Sequence, residues 1–261
     1  MLEARALGLS VQGRNLVEQV SLQVAPGELN MVLGPNGAGK SSLLSLLAGL
    51  RRPNAGAVEL AGRPLAGQSA AQLARQRAVM EQNPLTPSGW KTAELILAGA
   101  YLADADRADA ACRQAMELTC TTELAQRQAH TLSGGEQQRA HLARALCQLL
   151  ASTETERYLL LDEPTAALDF AMADALLAQV TRICRDLNIG ALAVVHDLNL
   201  ALRHADSVLL LNEGRSAGFG PTSEIMRREK LEAVYGVRLA ELSSQEHALR
   251  AFVPLPHAHG D

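Results

Sequence analysis

The sequence predicts an α/β fold: a parallel β-sheet that carries a phosphate-binding loop, with a helical region inserted into it. Three observations lead there. Short continuous apolar runs, Met31 to Leu33, Tyr158 to Leu161 and Ala191 to Val195, stand ahead of helical stretches, which is the pattern of strands buried on both faces. Gly34-Pro35-Asn36-Gly37-Ala38-Gly39-Lys40-Ser41 fits G-x-x-x-x-G-K-[ST] directly after the first run. From about Lys91 to Leu150 β-branched residues thin out, and Ala, Leu, Gln and Arg dominate.

In chain order, Glu18 to Val24 alternates, with Val20, Leu22 and Val24 on one face, and Pro26-Gly27 closes this strand. Met31 to Leu33 is a buried strand ending at the glycine-rich turn. Ser41 to Leu50 reads as a helix stopped by Pro53, and Ala57 to Leu60 as a short strand. The helical middle divides near Asp104–Asp106 and again near His130–Gly135. Strand signals return at Tyr158, Ala191 and Ser207–Leu211. These readings give an α/β core over 1–86 and 151–220, a helical subdomain over 87–150 and a helical tail over 221–261. All are read as parts of one domain spanning 1–261.

Composition narrows the function. With 261 residues, 48% hydrophobic and 20% charged, the chain is long enough for a core without disulfides or metals. A balance of 24 Lys+Arg against 28 Asp+Glu, net −4, offers no basic field for a nucleic-acid backbone. One Trp, three Tyr and three Phe are too few for a base-stacking surface. No apolar run reaches membrane-spanning length, and MLEARALGLS lacks the pattern of a secretory signal. Cys112, Cys120, Cys147 and Cys184 show no C-x-x-C spacing and read as buried thiols.

The residues that carry chemistry come next. In the loop Gly34 to Ser41, the glycines let successive N–H groups turn toward one anion, and the helix start adds partial positive charge. Lys40 is placed to reach the β- and γ-phosphates of a nucleotide, with Ser41 as an Mg²⁺ ligand. The run Leu159-Leu160-Leu161 delivers Asp162 to a strand's C-terminal edge, where it would hold Mg²⁺ through water. Adjacent Glu163 is a candidate general base for an attacking water. Ser133, Gly134 and Gly135 open a helix running to about Leu150, a second potential anion site.

Leu132-Ser133-Gly134-Gly135-Glu136-Gln137-Gln138-Arg139 resembles the signature motif of the ATP-binding cassette (ABC) family. Other family marks follow in order: Gln82 resembles the glutamine-loop residue, Ala167-Leu168-Asp169 the loop after the second phosphate motif, and His196 the switch histidine. The resemblance implies a P-loop NTPase core with a parallel-sheet, RecA-like subdomain, an N-terminal antiparallel β region and an inserted α-helical subdomain. It implies an ATPase using ATP and Mg²⁺. Gly34 to Ser42 and Ser133, Gly134 and Gly135 would bind nucleotide, and Ser41, Gln82 and Asp162 would hold the metal. Glu163, His196 and Gln82 would be catalytic. Where the family stacks an aromatic residue on adenine, this chain offers only Gln12. Ser42 replaces the commoner Thr and keeps the hydroxyl.

The resemblance also implies partners. Two copies would sandwich two nucleotides head to tail and drive a transmembrane permease dimer fed by a periplasmic substrate-binding protein. The chain would sit peripherally on the cytoplasmic face of the bacterial inner membrane, with no nucleic-acid partner. Glu136 to Arg139 has the transporter form rather than that of the soluble ABC ATPases of iron–sulfur cluster assembly. His196-Asp197-Leu198-Asn199-Leu200-Ala201 and the later Leu231 to Val237 resemble importers of iron chelates, haem and cobalamin. The long link from Cys147 to Arg157 and the run His141 to Leu146 favour haem, ahead of cobalamin or a ferric siderophore. Gln82 to Trp90 would line the permease groove, with Trp90 either an exposed anchor there or a core residue. His257 and His259 read as a solvated end rather than a metal or haem ligand.

Overall fold

Alternation within the apolar runs decides the architecture. The computed structural model describes residues 1–244 and 249–256. The elements run β1 (Leu2–Val11), β2 (Arg14–Val24), β3 (Leu29–Leu33), α1 (Lys40–Leu47), β4 (Ala55–Leu60), β5 (Arg63–Pro64), α2 (Ala70–Gln76) and β6 (Arg77–Met80). The helical middle follows as α3 (Thr92–Leu97), α4 (Ala105–Leu118) and α5 (Gly134–Leu150). Then come β7 (Arg157–Asp162), α6 (Phe170–Leu187), β8 (Ile189–Val194), α7 (Leu198–His204), β9 (Ser207–Asn212) and β10 (Arg215–Pro221). The tail holds α8 (Thr222–Ile225), α9 (Arg228–Tyr235), β11 (Leu239–Ser244) and β12 (Leu249–Pro254).

The central sheet has the order β10-β9-β3-β8-β7-β6, parallel except for β10. Strands β3, β7, β8 and β9 carry continuous buried apolar runs because each face meets a different core. Met31, Leu33, Leu159, Leu161, Ala191 and Ala193 join the helices on one side. Val32, Leu160, Leu192, Val194 and Leu209 point to the other, where Leu43, Leu46 and Leu47 of α1 lie between this sheet and the antiparallel sheet β2-β1-β4-β5. Helices α4 and α5 share the first core through Cys112, Ala115, Leu142 and Leu146. The breaks in the helical middle fall at its caps, where Asp104 accepts from the Arg107 N–H at 3.0 Å and Ser133 caps α5.

The structure departs from the sequence reading in several places. Strand β1 was not foreseen: a register shift at Ala6, whose φ is +47°, puts Leu2 and Ala4 out of phase with Leu7 and Leu9, although all four are buried. The tail over 221–261 is not helical throughout. Helix α9 ends at Gly236, and β11 and β12 form an antiparallel hairpin over the buried Leu239 and Phe252. That hairpin is held from a distance, since the Asn199 side chain accepts from Phe252 N–H at 2.8 Å and donates to its carbonyl at 3.2 Å. Cys112, Cys147 and Cys184 are buried, but Cys120 is exposed in the turn after α4. Between the short strand and the helical middle stand β5, α2 and β6, and β10 follows β9, none of which the sequence reading includes. His257 and His259 lie outside the described residues. Among those residues no helix is long and apolar enough to cross a membrane.

Candidate functional site

Strand β3 ends at the centre of the sheet, and the chain turns there into α1. Two glycines make that turn possible. At Gly34, φ +150°, a Cβ would lie 2.1 Å from the Leu211 carbonyl oxygen, and at Gly39, φ +98°, 2.1 Å from that of Leu16. Both neighbours are main chain and cannot swing aside. Between them Pro35, Asn36, Gly37 and Ala38 form the loop, tied by the Ala38 N–H to the Pro35 carbonyl at 3.2 Å. The buried Lys40 side chain folds back over it, donating from Nζ to the carbonyls of Gly34 at 2.7 Å and Pro35 at 3.0 Å. Burial lowers the pKa of this ammonium, and the carboxylates of Glu163 and Asp162 oppose the shift. A cavity of about 290 Å³ opens above the loop, lined by Asn36, Gly37, Gly39, Lys40, Ser41 and Ser42 together with Glu163 and His196.

The two adjacent carboxylates diverge. Asp162, the last residue of β7, accepts from the Ser41 hydroxyl at 3.2 Å. Burial raises its pKa, against the Ser41 hydrogen bond. Glu163 has left-handed backbone, φ +49°, an uncommon conformation for a side-chain-bearing residue. Its Oε2 accepts from Gln82 Nε2 at 2.5 Å, and its Oε1 lies 2.7 Å from His196 Nε2. Gln82 comes from just beyond β6 and His196 from just beyond β8, so three parallel-strand ends converge on one carboxylate. The Ser41 hydroxyl and the Asp162 carboxylate are in contact, and Gln82 is brought to the neighbouring Glu163 through its amide nitrogen. Oxygen donors of this kind could hold Mg²⁺, which keeps waters and leans on substrate phosphates rather than on a full protein cage.

Ser133, Gly134 and Gly135 stand apart from this cluster. Ser133 caps α5 reciprocally: its hydroxyl accepts from the Glu136 N–H at 3.4 Å, and the Glu136 carboxylate accepts from the Ser133 N–H at 2.8 Å. Those hydrogen bonds, the Ser133 N–H first among them, and Arg127 beside Glu136 hold the Glu136 carboxyl below the usual range. None of the three residues lines the phosphate-loop cavity. Gly134 instead lines a second cavity of about 380 Å³ with Gln82, Asn83, Pro84, Ala166 and Ala167. Asp169 caps α6, accepting from the Met172 N–H at 2.9 Å.

Three participants carry no signal in the sequence: Arg14, Leu16 and Tyr235. Arg14 and Leu16, at the start of β2, line the phosphate-loop cavity, whereas Gln12 does not. Tyr235 in α9 accepts from the Gly34 N–H through its hydroxyl at 3.0 Å, and burial pushes its pKa up to about 12. The β1–β2 hairpin register and the fold-back of the tail create these contacts, and neither has a local sequence signal.

Comparison with known proteins gives the family and the fold. Residues 17–166 match the ABC transporter family. The chain is 39% identical to the hemin import ATP-binding protein HmuV of Gloeobacter violaceus over 99% of its own length and 95% of the relative's. It is 41% identical to the protein of the same name from Bordetella pertussis, over 90% and 92%. Among solved structures, an inward-facing metal-chelate type ABC transporter superposes with a TM-score of 0.82 at 28% identity, covering 98% of each chain. A dimeric bacterial ABC transporter cassette shares the fold, with a TM-score of 0.73 at 20% identity, over 85% and 99%. With the family's pattern spanning more than half of its length and relatives near 40% identity matching almost end to end, the chain belongs to the ABC transporter family as an ATP-binding ATPase subunit.

Proposed function

We propose that this chain powers the import of haem, as a homodimer of ATPase subunits bound to a permease dimer on the cytoplasmic face of the inner membrane. The observation that carries the hydrolytic part is Glu163, held between Gln82 and His196 at the mouth of the phosphate-loop cavity. ATP would place its phosphates on the N–H groups of Gly37 to Ser41, with Lys40 released from the loop carbonyls to the β- and γ-phosphates. Ser41, Gln82 and Asp162 would hold Mg²⁺, which supplies positive charge to the β- and γ-phosphate oxygens. Glu163 would take the proton of the attacking water, and His196 Nε2–H would hold that carboxylate and the γ-phosphate in line.

That Ser133, Gly134 and Gly135 do not line this cavity supports a head-to-tail pair. In that arrangement the start of α5 in one copy closes on the γ-phosphate held by the other, and hydrolysis releases it. Leu85, Trp90, Leu97, Tyr101 and Leu102 are exposed around the glutamine loop and α3. This apolar group suits a permease docking site. A periplasmic binding protein would deliver cargo through that permease.

Haem as cargo rests on the hemin import relatives near 40% identity. A wider iron-chelate or cobalamin cargo is the second reading, favoured by the metal-chelate transporter at 28% identity. Growth of the source organism on haem as sole iron source, with Glu163→Gln in place of the native residue, separates them. Failure on haem with normal growth on an inorganic iron salt supports haem import. Normal growth on haem in a strain without a second haem importer moves the cargo to the other chelates.

A further inference from the structure

The second cavity, of about 380 Å³, is walled by the glutamine loop, by α5 and by Ala166–Ala167, and the first two of these share few direct bonds. Of these two, the first carries Gln82 and Pro84. The second is a single stripe of α5, Gly134, Gln138 and His141, spaced by successive helix turns. His141 is 2% exposed, and its Nδ1 has no hydrogen-bond partner among the described residues. The carbonyl oxygen of the Gln138 side chain, also buried, has none either. Burial, aided by the Arg144 charge, pushes the His141 pKa down to about 4, so the ring is neutral near pH 7. An imidazole buried with one nitrogen unpaired is costly, and an apolar side chain would fill that space at lower cost.

What the imidazole adds is a link. Its Nε2 lies 2.9 Å from the Thr86 hydroxyl. Among the described residues this is the one hydrogen bond between the 81–90 segment and α5. Thr86 is four residues from Gln82, with Pro84 stiffening the chain between them. Gln82 in turn holds Glu163. Polar contacts and a short, stiff segment therefore run from the catalytic carboxylate to the helix that begins with Ser133, Gly134 and Gly135.

We propose that His141 is a positioning residue: its hydrogen bond to Thr86 holds the glutamine loop in register with the start of α5. The Gln82–Glu163 contact at one nucleotide site and the α5 N-terminus offered to the other copy then move as one unit. This rests on the head-to-tail ATPase reading above.

The test is a double-variant cycle on the purified full-length chain, with steady-state ATP hydrolysis and urea unfolding measured on each protein. Thr86→Val and His141→Leu should each lower kcat about five-fold, the worth of one hydrogen bond, while KM for ATP stays within about two-fold. The double variant should lose no more than either single one. His141→Gln, whose amide can still meet the Thr86 hydroxyl, should keep at least about half of kcat. None of these changes should lower the urea midpoint in step with kcat. If His141→Leu misfolds, Thr86→Val carries the test alone. Unchanged kcat in Thr86→Val, or losses that add in the double variant, would overturn the proposal. Absence of ATP turnover in the unaltered chain would instead overturn the reading on which it rests.

Discussion

Glu163→Gln removes the proposed base and almost nothing else. Both Glu163 oxygens are engaged, Oε2 with Gln82 Nε2 at 2.5 Å and Oε1 with His196 Nε2 at 2.7 Å. Glutamine keeps the shape and one acceptor. Its amide oxygen can still accept from His196 Nε2–H, and the new NH₂ then faces Gln82. A flip of the Gln82 amide restores a donor–acceptor pair there, so the cost to the fold is about one hydrogen bond, ~1 kcal/mol. The chemical step loses far more, since a positioned base is worth about 10²–10⁴ in rate, or roughly 3–5 kcal/mol of barrier. Single-turnover hydrolysis at saturating ATP should therefore fall at least about a hundred-fold. ATP affinity should stay within about three-fold, and an ATP-bound dimer should accumulate on size-exclusion chromatography. A fall of less than about ten-fold with ATP binding intact would refute the general-base role. Equal losses of binding and turnover would make Glu163 a structural strut instead.

Three further outcomes follow from the same geometry. Gly34→Ala forces a Cβ to within 2.1 Å of the Leu211 carbonyl oxygen. It should cost about 2–4 kcal/mol in urea unfolding, and a loss under about 0.5 kcal/mol would show that the loop backbone can relax. Trp90→Ala, at a side chain 41% exposed beside the glutamine loop, should depress transport while ATP turnover by the free chain stays within about two-fold. Unchanged transport would remove Trp90 from the permease interface. His141 carries a pH signature, because its pKa falls from 6.5 to about 4 on folding. Protons then favour the unfolded chain, so the stability tied to this residue is full above pH 6.5 and is lost as pH falls toward 4, by about 3 kcal/mol. His141→Gln should flatten that part of the pH–stability curve, and an unchanged slope between pH 7 and 4.5 would contradict the burial account.

The parts of the site that could be read from sequence are those whose chemistry is contiguous. Gly34 to Ser41 supplies the whole phosphate loop in eight consecutive residues, and Ser133 to Glu136 supplies both halves of a capping box. The sheet strands β3, β7, β8 and β9 were legible because burial on both faces leaves continuous apolar runs. Strand β1 was not, because the shift at Ala6 breaks its alternation and its Ala- and Leu-rich composition suits a helix equally well. The tail hairpin was hidden for another reason: its ties run from Asn199 to Phe252, far beyond any local window. Arg14, Tyr235 and the Thr86–His141 link share that cause, since each enters the site only after distant elements have packed.

The most direct test of the account is ATP-driven haem uptake into lipid vesicles that hold this chain with its permease, supplied with haem-loaded binding protein outside and MgATP inside. The account predicts haem accumulation that requires ATP and stops with Glu163→Gln. Hydrolysis of ATP without haem accumulation, when cobalamin or a ferric siderophore is taken up by the same vesicles, would contradict the assignment of haem. Haem accumulation undiminished by Glu163→Gln would contradict the mechanism itself.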